Sequence, residues 1–134
     1  MAPRITLLLG KPPRPGTLLA EVARDLEARG HPVTLRLPHE QAVRVEDLYG
    51  EGLVVHRGLR GELAPLLAAA HEHGVRMCNS WPADRLLRDR RSSWDALTRA
   101  RVPVPPATWV NSWAEVLARG GAGPVVAKAM AGPG

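Results

Sequence analysis

The sequence contains a single cysteine, Cys78, among 134 residues, so no internal disulfide framework can staple the fold. No apolar run approaches the roughly 18 residues that a membrane span needs. The N-terminal stretch MAPRITLLLGKPP has only a short apolar core and no small-residue cleavage site after it. No signal peptide is read there, and the expected location is the cytoplasm. Compositional extremes are missing as well. With 45% hydrophobic and 23% charged residues, the chain resembles an ordinary globular protein rather than a disordered or collagen-like one. Its length suits one domain by the usual prior of roughly 100–200 residues. That is enough to bury about two thirds of the surface exposed on unfolding.

Lysine is scarce too: Lys11 and Lys128 stand against sixteen arginines. Lysine is therefore not the default cation of this chain. The net charge of +5 is local, because residues 1–84 hold ten Lys/Arg against ten Asp/Glu. Residues 85–101 carry Arg85, Arg88, Arg90, Arg91, Arg99 and Arg101 against Asp89 and Asp95. Such a block either forms a solvated helix face or meets an acidic ligand, a nucleotide or a nucleic acid.

The hydrophobic pattern alternates between strand and helix. Residues 4–10 (RITLLLG) form a short apolar run that Pro12-Pro13 breaks, which suits a buried parallel strand. Leu18, Leu19, Val22, Ala23 and Leu26 recur at helical spacing between Thr17 and Arg29, and Gly30 closes that helix. Val33, Leu35 and Leu37 alternate as in a half-buried strand. Residues 53–56 (LVVH) predict another strand, residues 63–73 a Leu/Ala helix closed by Gly74, and residues 75–78 a short strand with Cys78 at its buried end. This order predicts an α/β domain with a mostly parallel, Rossmann-like sheet flanked by helices and right-handed crossovers.

After Asn79 the texture changes. Residues 82–88 and 91–100 predict two helices, and Pro103, Pro105 and Pro106 stop the second. Thr108 to Val110 predicts a short extended piece. Asn111 or Ser112 can cap a helix through Arg119, with Glu115 at capping-box spacing from Ser112. Gly120, Gly121 and Gly123 end that helix. Residues 124–130 (PVVAKAM) predict a strand that runs into Ala131-Gly132-Pro133-Gly134.

That last stretch is the sharpest chemical feature. Glycines let a backbone approach phosphate oxygens, and a neighbouring lysine supplies a mobile point charge. Lys128 can equally be a solvent-facing lysine on an edge strand, and the stretch is not a Walker A loop. Arg57 and Asn79 end strands where α/β sheets present ligands, and Lys11 follows the first strand. These three are candidate substrate contacts as well as ordinary surface or capping residues. The five histidines show no metal-ligand spacing, and His71 and His73 do not share a helix face. Ser92-Ser93 has no matched base. Trp81, Trp94, Trp109 and Trp113 suit core anchors better than stacking platforms for nucleic acid.

Asn79, Asp89-Arg90, Leu97, Val102-Pro103-Val104-Pro105-Pro106-x-Thr108 and Pro124-Val125-Val126-x-Lys128 occur in an order and spacing that resemble the ATP-grasp superfamily. The upstream GLVVHRGL, a helix and HGVRMCNS are similar to the preceding domain of its glutamate-ligating, RimK-like branch. The resemblance covers essentially the whole chain. It implies a pre-ATP-grasp α/β domain over residues 1–80, and a truncated start of an α+β ATP-grasp domain over 81–134. It also implies ATP-dependent carboxylate–amine ligation through an acyl phosphate, with ATP and magnesium in the full-length family. The partners it implies are a nucleotide and a small-molecule or peptide carboxylate. Lys128 matches the strand lysine that contacts ATP. Arg90 stands where a lysine is more common, and Met130 where proline is common. Gly132 and Gly134 match the start of the loop over the phosphates. No acidic residue follows Glu115, so the family's metal ligands have no counterpart and no catalytic residue is assigned. The expectation is a front portion, inactive alone. Its ATP affinity is expected to be poor, because the Gly134 α-carboxylate is negative at neutral pH. A basic nucleic-acid-binding or regulatory module built on segment 85–101 is the alternative, and a nucleotide is the simpler partner.

Overall fold

A computed structural model of the chain describes residues 2–119, 123–128 and 130. They divide into two compact units, one ending at Asp84 and one beginning at Arg85. In the first unit β1 (Ile5–Leu9), β2 (Val33–Arg36), β3 (Leu53–Arg57) and β4 (Met77–Cys78) form one sheet. The strand order is β2-β1-β3-β4 and every pairing is parallel. Helix α1 (Leu18–Ala28) joins β1 to β2, and α2 (Ala64–Glu72) joins β3 to β4. The two crossovers leave the centre of the sheet in opposite directions. With right-handed connections they cover opposite faces.

Strand β1 lies between two neighbours and all five of its residues are buried. Its alternate side chains feed two separate cores, because successive side chains on a strand point to opposite faces. Ile5, Leu7 and Leu9 pack with Leu19, Ala23 and Leu26 of α1. Leu8 packs with Val54, Leu67 and Ala70, and with Leu48 of a short 3-10 turn at Val45–Leu48. Full burial of a Leu side chain contributes about 1.5–3 kcal/mol. Trp81, the first residue of α3 (Trp81–Arg88), leans on this second core. At the end of β1 the Gly10 N–H donates to the Arg57 carbonyl at 3.0 Å. A Cβ on Gly10 would overlap the Gly58 backbone, so the two chain segments meet only because this residue has no side chain.

Three sequence expectations need correction in this unit. Leu35 is exposed rather than inward-facing, and so are Leu18 and Val22 of α1. Strand β2 is at the sheet edge, and only the Leu19–Ala23–Leu26 stripe of α1 reaches the core. Cys78 is exposed rather than buried. It ends the opposite edge strand, whose neighbouring residue Met77 takes the core side.

The second unit contains α4 (Arg90–Arg99) and α5 (Trp113–Arg119). Helix α4 ends in a Schellman motif, in which Val102 N–H donates to Leu97 O and Arg101 N–H to Thr98 O, both at 3.0 Å. Arg101 holds the left-handed conformation, φ 57°. The helix is therefore closed by Arg101 before the prolines are reached. Ser112 Oγ accepts from Glu115 N–H at 3.2 Å, and the Glu115 carboxylate accepts from Asn111 N–H at 2.9 Å. Of the two candidate caps, Ser112 is therefore the one used, and Asn111 contributes its backbone N–H. Residues 108–110 and 124–128 pair with no strand among the described residues. The described residues of the strand expected over 124–130 form no strand. Gly120 and Gly121, expected to end α5, lie outside the described residues.

Leu8→Ala is expected to lower unfolding free energy by about 2–5 kcal/mol, whereas Leu35→Ala should change it by about 0.5 kcal/mol or less. Urea unfolding of both variants checks this, and equal losses would contradict the placement of β2 at the edge. Arg101→Gly should raise the stability of the α4 end by about 1 kcal/mol, read from amide exchange at Arg99 and Ala100, because glycine relieves the left-handed cost.

Candidate functional site

The parallel sheet brings three sequence-derived candidates to one edge. Lys11 follows β1, Arg57 ends β3 and Asn79 follows β4, and all three are exposed. Because these strands are adjacent and parallel, their C-terminal ends share one side of the unit. The gap between β1 and β3 is the topological switch point, where α/β sheets open a crevice for ligands. The residue that holds this edge together was considered from sequence only as a metal ligand. His56 is 2% exposed, and its Nε2 donates to the Asn79 carbonyl at 2.7 Å. The bond ties the loop after β4 to β3. A histidine at the penultimate position of a buried strand was the available signal.

The second unit assembles the other two candidates. Arg90 is the first residue of α4, and its backbone N–H points at the Met130 carbonyl, 3.4 Å away. Arg90, Trp94, Trp109, Val126 and Lys128 line one open groove. Arg90 and Lys128, nearly forty positions apart, are thus presented to the same space. Lys128 is exposed and lies in an unpaired segment rather than on a strand. Gly132 and Gly134 lie outside the described residues. Trp94 and Trp109 meet edge to face with centroids 6.0 Å apart. That geometry makes them a small anchor of this unit rather than two free stacking surfaces. Trp113, by contrast, is exposed.

Asp89 changes how an anion could be held here. Its carboxylate caps α4, accepting from the N–H groups of Arg91 and Ser92 at 3.1 and 3.3 Å and from the Ser92 hydroxyl. A helix N-terminus otherwise attracts phosphate, but these donors are already used by a negative group. The start of α4 therefore presents the Arg90 side chain, rather than free helix-end amides, to the groove. Ser93 is likewise engaged, donating to the carbonyls of Leu86 and Asp89 at 2.8 and 3.0 Å. Glu115 is spent on its cap and on Arg119, at 2.7 Å. No group of three or more His, Cys, Asp or Glu among the described residues could hold a metal ion. No described helix is long and apolar enough to cross a membrane.

The Ser92 hydroxyl holds the Asp89 carboxyl below the ordinary carboxylate range. Loss of hydration opposes this, and the Arg91 and Ser92 amides and the Arg91 charge add to it. A lowered folded value means the cap stabilises α4 fully above the unfolded carboxylate range, and the effect is lost as pH falls through the lowered value. Acid titration followed at the Arg91 and Ser92 amide resonances should show α4 fraying below that range. Asp89→Asn should keep a cap yet flatten the dependence. An unchanged titration in that variant would assign the effect to another group.

No family model matches the chain, and no curated protein matches it. Among solved structures, it is similar to a RimK-domain ATP-grasp protein from Sphaerobacter thermophilus, with 27% identity and a TM-score of 0.59. The match covers 77% of this chain and 39% of that one, so the chain spans well under half of that neighbour. The parallel α/β architecture and this similarity together give the chain an ATP-grasp, RimK-like relationship.

Proposed function

We propose that the chain is the front portion of an ATP-dependent carboxylate–amine ligase. Residues 1–80 act as its pre-ATP-grasp domain, residues 81–134 begin its ATP-grasp domain, and the chain is inactive alone. The single observation that supports this most is the similarity to the RimK-domain protein over 77% of the chain. The convergence of Arg90 and Lys128 on one groove agrees with it.

ATP, when bound in such ligases, supplies activation of a carboxylate as an acyl phosphate, which an amine then attacks. On this chain Arg90 offers a planar fork and Lys128 a compact charge to phosphate oxygens. The Asp89 carboxylate beside Arg90 disfavours close approach of a phosphate to the start of α4 and directs it toward the Lys128 side of the groove. Lys11, Arg57 and Asn79 meet the carboxylate substrate at the sheet edge, with His56 holding the Asn79 backbone in position. The described residues supply no donor cluster that fits magnesium, and no step is assigned to it.

Titration of ATP with magnesium into the isotope-labelled chain should give weak binding, with amide shifts concentrated at Arg90, Trp109 and Lys128. Arg90→Ala and Lys128→Ala should each weaken it about tenfold, the loss of one charge-assisted contact. Unchanged binding in the double variant, or shifts confined to the first unit, would overturn the nucleotide assignment.

A further inference from the structure

The two loops that flank the switch point of the first unit carry the same charge pattern. Lys11-Pro12-Pro13-Arg14 follows β1, and Arg57-Gly58-Leu59-Arg60 closes β3. Each sets two cations three residues apart. The strand register puts the two pairs side by side, since Leu9 lies opposite Arg57 and the Gly10 N–H donates to the Arg57 carbonyl. All four cationic residues are exposed. Among the described residues none of the four has a carboxylate partner, because the ion pairs there belong to Arg4, Arg29, His39 and Arg119. Glu62, two residues past Arg60, turns to His39 instead, 3.4 Å away. The residues up to Asp84 are neutral in sum, so this edge concentrates positive charge that the rest of the unit balances. Unpaired like charges on adjacent segments repel one another, and an anion between them removes that cost.

Both outer arginines are held by their own loops. Arg14 stands between Pro13 and Pro15, whose fixed φ stiffens the segment. Its carbonyl accepts from the Thr17 N–H at 3.2 Å and from the Thr17 hydroxyl at 2.7 Å. Arg60 follows Leu59, which is 7% exposed and anchors the β3 loop in the second core. The Arg60 N–H donates to His39 Nε2 at 3.5 Å. Cations on loops fixed in this way lose less freedom on meeting an anion than cations on free loops. Lys11, Arg57 and Asn79 suffice for the one carboxylate that is activated, which leaves Arg14 and Arg60 without a function. Three residues span at most about 10 Å, the scale of a short acid with a carboxylate at each end. A guanidinium fork matches a carboxylate through two parallel N–H bonds. We infer that Arg14 and Arg60 are specificity-determining residues that hold a second carboxylate, so that the site takes an acid with at least two of them. This rests on the ligase reading for the carboxylate that reacts. A small polycarboxylic acid and the end of an acidic peptide present the same chemistry to these two arginines.

The test titrates the complete 134-residue chain, isotope-labelled, with butyrate, glutarate, inorganic phosphate and triglutamate. Glutarate should shift the amides of Lys11, Arg14, Arg57 and Arg60 and bind about tenfold or more tightly than butyrate, the effect of an added charge-assisted contact. Arg14→Gln with Arg60→Gln should bring glutarate to the butyrate level and leave butyrate binding unchanged, a split that a merely structural role would not produce. Amide exchange in β1 and β3 should stay the same in that variant. Tighter binding of triglutamate than of glutarate would assign the second carboxylate to a peptide end, and the reverse to a small acid, each in support. Equal affinity for butyrate and glutarate, phosphate binding as tight as glutarate, or a double variant that still separates the two acids would each overturn the inference. ATP shifts at Arg90 and Lys128 with no preference for glutarate would overturn it and leave the ligase reading standing. Preference for glutarate with no ATP binding would sustain the two-carboxylate site and overturn the ligase reading.

Discussion

Strand β1 is hydrogen-bonded along both edges and covered on both faces, and the first unit is arranged around it. Its five residues divide between two cores, so the same short segment anchors α1 on one side and α2 on the other. The ends of β1 and β3 are locked together by the Gly10–Arg57 bond and by the close approach of Gly10 to Gly58. Lys11 and Arg57 stand where they do because of that lock. A side chain at Gly10 would push apart the C-terminal ends of β1 and β3.

The second unit follows a different physical logic. Its helices are held by local devices: the Asp89 cap, the Schellman turn at Arg101, and the reciprocal use of Ser112 and Glu115. Such devices set helix ends and need no deep core. They leave Val125, Val126, Trp113 and Leu117 in water. Hydrophobic burial is the main favourable term in folding, and the described residues of this unit draw on it less than those of the first. The placement of Arg90 and Lys128 at one groove sits within this locally held framework, where covering the groove would also reduce solvent screening of both charges.

Much of the first unit was legible because its signals are local and strong. The run at 5–9, the Leu19–Ala23–Leu26 stripe and the closing Gly30 and Gly74 mark elements to within a residue or two. Leu35 was misread because alternation tells which residues share a face, not whether anything covers that face at a sheet edge. Cys78 was misread for the same reason at the other edge. His56 was weighed only for metal spacing, since its bond to Asn79 spans two strands that sequence separation does not reveal. The 124–130 segment has the composition of an inner strand, but a strand exists only with a ladder partner.

Local propensity and periodicity, read from the sequence alone, determined the order of strands and helices, the α/β class and the concentration of positive charge after residue 84. The order and spacing of its motifs also carried the resemblance to ATP-grasp proteins. The tertiary structure alone decided which face each strand buries and which strands become edges. It also brought Lys11, Arg57 and Asn79 to one end of the sheet. The reason is that helix caps and hydrophobic periods act over a few residues, whereas burial and strand pairing depend on which distant segments arrive beside them.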